Sequence, residues 1–330
     1  MLSRHFLRAK ALQTLYAAVT NQTETPDEVG ASFDYNVKNL NKLGLIQLST
    51  LSQLTFTAAR IEENEMQKFN PQEQELMMLH RWASNRLVAG IESGFEYRHL
   101  TDKLHIDWSS NFDIFRKIWQ QFKSLKQYAD YMSIDEPTFE DDQAIAVVAF
   151  KCLMNDDSLH DLIAERALLW DDDYFQIAQY VLMLMKEQTE ESTNEAMCCP
   201  QVYDPRNEKE QNDYNYARQL AIDTFVHMDD VEPLIKKHLQ NWELERVAQI
   251  DLLLINMAAT EFTCCPSIPE RVTVDEYIEL SKEFSTEKSK LFINGILDKI
   301  LIELRVAGKV QKNERGMYDP EVDGDTPPEG

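Results

Sequence analysis

At 330 residues, 43% hydrophobic and 27% charged, the chain is long enough to bury one large core or two modest ones and has an ordinary globular composition. A net charge of −24 argues against a uniformly cationic nucleic-acid surface, and no run of 18 or more apolar residues offers a membrane-spanning helix. Few glycines and prolines among many Leu, Ala, Glu, Lys and Gln favour helix over sheet, so the fold class expected is all-α.

The first segment, MLSRHFLRAKALQTLYAAVTNQ, lacks the uninterrupted apolar core of a signal peptide, and a cytoplasmic location is expected. A helix is predicted from Ser3, as N-cap, to about Val19. Leu12, Leu15, Tyr16 and Val19 share one face, which Arg4 and Arg8 continue toward the N-terminus. That basic end is expected to protrude from the core or to border a groove. Residues 26–131 read as several helices, with apolar spacing at 45–61 and 112–125 and a loop-like stretch at 101–110. Further helices are predicted at 139–154, 158–167 and 173–187; the acids of WDDDYF, at 170–175, suit the positive end of a helix dipole. Residues 188–208 are polar, contain two prolines and form the best linker. Helices then follow at about 211–227, 229–240, 243–262, 274–284 and 286–306, with Thr273 and Glu276 as a T-x-x-E capping box. The domain organisation expected is a basic first helix (1–22), an enlarged acidic helical region (23–187), the linker (188–208), a C-terminal helical subdomain (209–312) and a disordered acidic tail (313–330).

Charge is unevenly distributed. Residues 1–22 carry +3 and residues 288–315 carry +4, whereas 23–287 carry −26 and the last fifteen residues −5. Two basic ends around an acidic middle suggest an anionic partner at the ends. Catalytic motifs are missing: the sequence has no phosphate-cradling glycine loop, no H-E-x-x-H and no G-x-S-x-G. The seven histidines are scattered, and the five cysteines, including the neighbours Cys198–Cys199 and Cys264–Cys265, show no CxxC spacing, so plain thiols without a metal are expected. One glycine is out of place. Gly295 lies inside the predicted helix 286–306, on the side opposite Ile293, Ile296, Leu297 and Ile300, beside Lys288 and Lys299. Either a neighbouring helix packs against it or a partner chain or nucleic-acid backbone approaches it.

Four stretches carry a resemblance: RHFLRAKALQTLYAAVT (4–20), YARQLAIDTFVHMDDVEPLIKKHLQNW (216–242), WELERVAQIDLLLINMAATEF (242–262) and IPERVTVDEYIELSKEFSTEKSKLFINGILDKI (268–300). In this order they resemble the NusB family of bacterial transcription antitermination factors, in a long variant with an enlarged acidic helical middle. The resemblance implies a NusB-like bundle of two packed helical subdomains with a large additional helical region, and neither catalysis nor a cofactor. It implies a complex with NusE, the small-subunit ribosomal protein. The pair holds the single-stranded boxA element of ribosomal RNA leaders, acts indirectly on the RNA polymerase elongation complex and suppresses Rho-dependent termination. Carried over by position, the RNA surface comprises Arg4, His5, Arg8 and Lys10 with Lys288, Lys290, Phe292 and Asn294, and the NusE side includes Tyr16 and Asp251. Two departures stand out: Phe6 and Leu7 interrupt the basic run, and Lys288 occupies a position often held by an acid. The alternative is a helical protein–protein scaffold of the transcription or ribosome-biogenesis machinery, in which the −26 middle repels RNA. An RNA-modifying enzyme with a NusB-like domain requires a glycine-rich cofactor-binding domain, which the sequence does not show.

Overall fold

The computed structural model of the protein describes residues 2–67, 80–167, 170–194, 199–204, 206–239 and 246–317. Regular structure among them is helical, with no strand: α1 (Arg4–Thr20), α2 (Pro26–Met66), α3 (Arg86–Ser93), α4 (Phe95–Lys103), a 3-10 turn (Ser109–Asn111), α5 (Phe112–Lys123), α6 (Lys126–Met132), α7 (Phe139–Met154), α8 (Asp157–Ala164), α9 (Trp170–Glu187), α10 (Glu190–Asn194), α11 (Glu208–His238), α12 (Gln249–Cys264), α13 (Glu270–Phe284) and α14 (Ser289–Val306). The chain forms two compact units: a middle unit, Lys38–Tyr203, and a terminal unit made of Leu2–Val37 and the chain from Asp204 onward. The tail expected to be disordered falls, from residue 318, outside the described residues.

The middle unit is built on aromatic packing. In α5, FDIFRKIWQQFK sets Phe115, Ile118, Trp119 and Phe122 at helical spacing, and all four are buried. Phe122 meets Trp82 edge-on at 5.1 Å and Tyr128 at 5.0 Å between ring centroids. Helix α7 opens with a capping box of Thr138 and Asp141. One residue on, the buried Asp142 accepts from Arg86 Nε (2.7 Å) and the Tyr131 hydroxyl (2.6 Å), while its carbonyl accepts from Asn85 (2.8 Å). A single carboxylate thus ties the start of α3 and the end of α6 to α7. The acids Asp171, Asp172 and Asp173 lie in the first turn of α9, as the helix-dipole argument expects.

In the terminal unit, Ser3 caps α1 by accepting from the Phe6 amide (3.1 Å). Helix α2 begins well before the predicted 45–61 stretch, because Val29, Phe33 and Val37 recur on one buried face. Gly30 allows close approach there: a Cβ at this position would lie 2.6 Å from the Arg218 guanidinium of α11. The two helices predicted at 211–227 and 229–240 are one, α11. Pro233 removes a single helical hydrogen bond, and burial of Val231 and Ile235 on either side carries the helix through it. Thr273 does not cap a helix either. Helix α13 starts at Glu270 behind Pro269, which places Thr273 inside the first turns with its hydroxyl directed into the core.

Trimming Phe122 to alanine removes a ring that meets three other aromatic residues and is expected to destabilise the middle unit by about 3–5 kcal/mol. Denaturant unfolding followed by tryptophan fluorescence measures it.

Candidate nucleic-acid interface

The helix that organises the terminal unit is α12, apolar along most of its length and carrying one carboxylate in its interior, Glu261, with 0% exposure. A carboxylate there is tolerated only if its lone pairs are filled. Arg8 of α1 fills two of them in a fork, Nε to Oε2 and Nη2 to Oε1, both at 2.9 Å. Thr273 Oγ1 donates to Oε1 (2.8 Å), and the hydroxyls of Tyr216 and Tyr277 donate to Oε2. Burial drives the Glu261 carboxyl upward, but the charge and hydrogen bonds of Arg8 outweigh it and hold the group below the usual glutamate value. The same environment pushes the Cys265 thiol up to about 12, through burial and the charge of Glu261, which keeps it unreactive.

Arg8 is 1% exposed and Lys10 is buried with its ammonium on Gln13 Oε1 (2.6 Å). Both were expected on the RNA surface, and the basic stripe was expected to leave the core. The structure turns these two cations inward, because the face that carries Leu12 and Leu15 is the core face. Arg4 and His5 stay at the surface, each against acids. Arg4 Nε lies 2.6 Å from Asp213, with its guanidinium over the Tyr216 ring at 5.1 Å. His5 sits between Glu276 (Nδ1, 2.8 Å) and Glu283 (Nε2, 3.0 Å) of α13. Burial lowers the proton affinity of His5, but the two carboxylate hydrogen bonds outweigh it and raise its pKa above 6.5.

Glu283 is at the end of α13, and the chain turns into α14 immediately afterwards. That turn is held by Asp251, from the first turn of α12. It is 6% exposed, and its two oxygens accept from Ser285 (2.6 Å) and Ser289 (2.9 Å). Asp251, assigned by resemblance to the NusE side, is therefore an internal strut that fixes where α14 begins, whereas Tyr16 is 42% exposed on α1. The turn presents the remaining predicted residues. Lys288 and Lys290 are exposed, Phe292 and Asn294 are half-buried, and no carboxylate pairs with either lysine among the described residues. His5, through Glu283, reaches the same turn; Arg8 and Lys10 do not. Sequence reasoning missed Glu261, Tyr216, Tyr277, Ser285 and Ser289. The one available signal was a lone glutamate in the apolar run INMAATEF.

Replacing Glu261 with glutamine takes the fork-bonded charge from the buried Arg8 guanidinium and leaves it only the part-exposed Glu276, at 3.3 Å from Nη1, and is expected to cost about 3 kcal/mol, read from chemical denaturation. In the parent protein, Glu261 contributes stability above pH 4.5 that disappears as pH falls through its lower folded pKa. His5 has the opposite sign. Its contribution is complete below pH 6.5 and is lost as pH rises through its raised folded value, so His5→Gln is expected to remove a stability decline above pH 6.5 that the parent shows.

Comparison with known proteins agrees with this architecture. A sequence model of the NusB family matches residues 174–301. The transcription antitermination protein NusB of Salinibacter ruber is 40% identical over 103 residues, which are 31% of this chain and 64% of that protein. Its namesake in Desulfatibacillum aliphaticivorans is 42% identical over 97 residues, 29% of this chain and 66% of that protein. The one in Myxococcus xanthus is 34% identical over 98 residues, 30% of this chain and 70% of that protein. The chain thus spans about two thirds of the length of these relatives, and no solved structure matches it. With the all-helical fold and a match to 70% of one relative, the chain belongs to the NusB family.

Proposed function

We propose that this protein is a non-catalytic, RNA-binding transcription antitermination factor. Together with NusE it binds boxA-like single-stranded RNA of ribosomal RNA leaders and suppresses Rho-dependent termination. The observation that carries this reading is the start of α14: two exposed lysines, Lys288 and Lys290, unpaired among the described residues, within two helical turns of the half-buried Phe292 and Asn294, on a turn held by Asp251. Ammonium groups neutralise phosphates, and an aromatic ring offers a stacking surface to an unpaired base. In this reading Arg4 and His5 form the edge of the surface, Arg8 and Lys10 are held in the core of the unit, and Tyr16 belongs to the surface that meets NusE.

The scaffold reading keeps one specific observation in its favour. Arg4, His5 and Arg8 are already matched by carboxylates, and the stretch 23–287 carries −26, so less free positive charge faces RNA than the sequence suggests. Salt-dependent binding of boxA-like RNA, with NusE present, separates the two. Changing Lys288 and Lys290 together to alanine is expected to weaken binding and to reduce the slope of log K against log salt by about 1 per lysine. Unchanged affinity and slope in this variant, or NusE binding with no response to RNA, favours the scaffold.

A further inference from the structure

Helix α14 buries one face, with Ile293, Ile296, Leu297, Ile300 and Leu304 in the core. Its opposite face is also apolar and lies open. Leu291 is 74% exposed, Ile302 60% and Val306 85%, and among the described residues a Cβ built on Gly295 meets nothing within 4 Å. With about 100° per residue, these four positions fall within about 60° of one another, so they form one stripe along the helix. Isolated exposed apolar residues need no explanation; three aligned on a helix around a glycine do. Gly295 gives the stripe a hole at which a second helix can come close. Two exposed charges flank it on opposite edges, Asp298 on one and Lys299 on the other, and no ion pair occupies either one among the described residues.

We propose that this stripe is a self-association surface, on which two copies of the chain pack α14 against α14, parallel, about a two-fold axis that runs alongside the helices. In this arrangement like meets like along the stripe: Leu291 with Leu291, Ile302 with Ile302 and Val306 with Val306, with the closest approach at the paired Gly295 positions. The axis carries each edge of one helix to the opposite edge of the other. Asp298 of each copy therefore lies beside Lys299 of the other, and two reciprocal ion pairs close the contact. An antiparallel pair sets Asp298 beside Asp298 and Lys299 beside Lys299, which is repulsive, so these two residues favour the parallel form; Lys288, one turn before Leu291 on the same side, then meets its own copy, which keeps the contact weak. A second copy is favoured over a different partner because one helix supplies the knobs, the hole and both charges of the pair. A contact of about 22 Å of helix is small, so the dimer is of the weak, transient kind.

Sedimentation equilibrium of the full chain, up to about 1 mM to reach weak association, tests this. A reversible monomer–dimer equilibrium is expected for the parent. Ile302→Asp is expected to weaken it at least about tenfold, equal to about 1.4 kcal/mol. Gly295→Leu acts in opposite directions on fold and association. It raises the melting temperature of the monomer, since glycine is poor inside a helix, and weakens the dimer by filling the hole. Asp298→Lys and Lys299→Asp each weaken association, and the double exchange restores it. A parent that stays monomeric throughout, a dimer indifferent to Ile302→Asp and Gly295→Leu, or a double exchange that does not recover the parent's affinity overturns the proposal.

Discussion

The Glu261 carboxylate is the constraint on which the terminal unit depends. An unpaired carboxylate at zero exposure carries a desolvation penalty of several kcal/mol, and no apolar neighbour relieves it. It is stable only where Arg8, Tyr216, Thr273 and Tyr277 converge, and these residues come from α1, α11 and α13. The condition is geometric as well as energetic. A forked guanidinium accepts only a narrow range of carboxylate positions, and each hydroxyl must reach an oxygen that the fork leaves open. Apolar packing alone permits small slides of one helix past another, whereas this arrangement does not. The register of three helices against α12 is set by one side chain.

What the terminal unit shows to solvent follows from that register. With Arg8 anchored, one turn earlier His5 meets Glu276 and Glu283, and Arg4 meets Asp213. The basic residues of α1 are largely used in holding α1 in place. Asp251, ten residues before Glu261 on the same helix, plays a parallel part at the next connection by accepting from two serines of the α13–α14 turn. Two acids of one apolar helix thus orient both structural elements expected to carry positive charge. They neutralise much of the first and present the second, so of these two elements it is the start of α14 that keeps free ammonium groups among the described residues.

Much of this was legible locally and little of it at long range. The start of α1 at Ser3 and the span of α7 follow from short-range rules of capping and apolar spacing, and they hold because packing reinforces them. The break expected in the middle of α11 does not occur: Asp229, Asp230 and Pro233 disfavour helix locally, but buried Val231 and Ile235 outweigh them. Thr273 and Glu276 match a capping box by spacing, yet the helix starts earlier and the Thr273 hydroxyl goes to Glu261. The misplacement of Arg8 is the most instructive. A helical wheel aligns it with Leu12 and Leu15, which already marks its face as the core face. What periodicity does not reveal is the partner, 253 residues away, that makes a buried guanidinium stable. Without that carboxylate in view, exposure is the natural inference for an arginine. At the start of α14 the exposure of Lys288 and Lys290 follows from local surroundings alone: a turn, the first turn of a helix and solvent.

Gly295 joins these arguments. In the interior of an 18-residue helix it costs roughly 1 kcal/mol relative to alanine. Two intramolecular reasons for such a residue are a backbone conformation that side chains avoid and a neighbour too close for a Cβ. Gly308 illustrates the first, at φ +67, and Gly30 the second. Gly295 meets neither condition, since it is helical and has open space where a side chain would stand. Among the described residues nothing accounts for it, and a close approach by a partner is the offset its position suits. The flanking residues narrow the choice. Toward the start of the helix the neighbour on this face is Lys288, suited to phosphates; toward its end they are Ile302 and Val306, which a polyanion does not need and an apolar surface does. The glycine sits at the junction of a cationic half and an apolar half of one exposed helix face, where a close approach serves the apolar half.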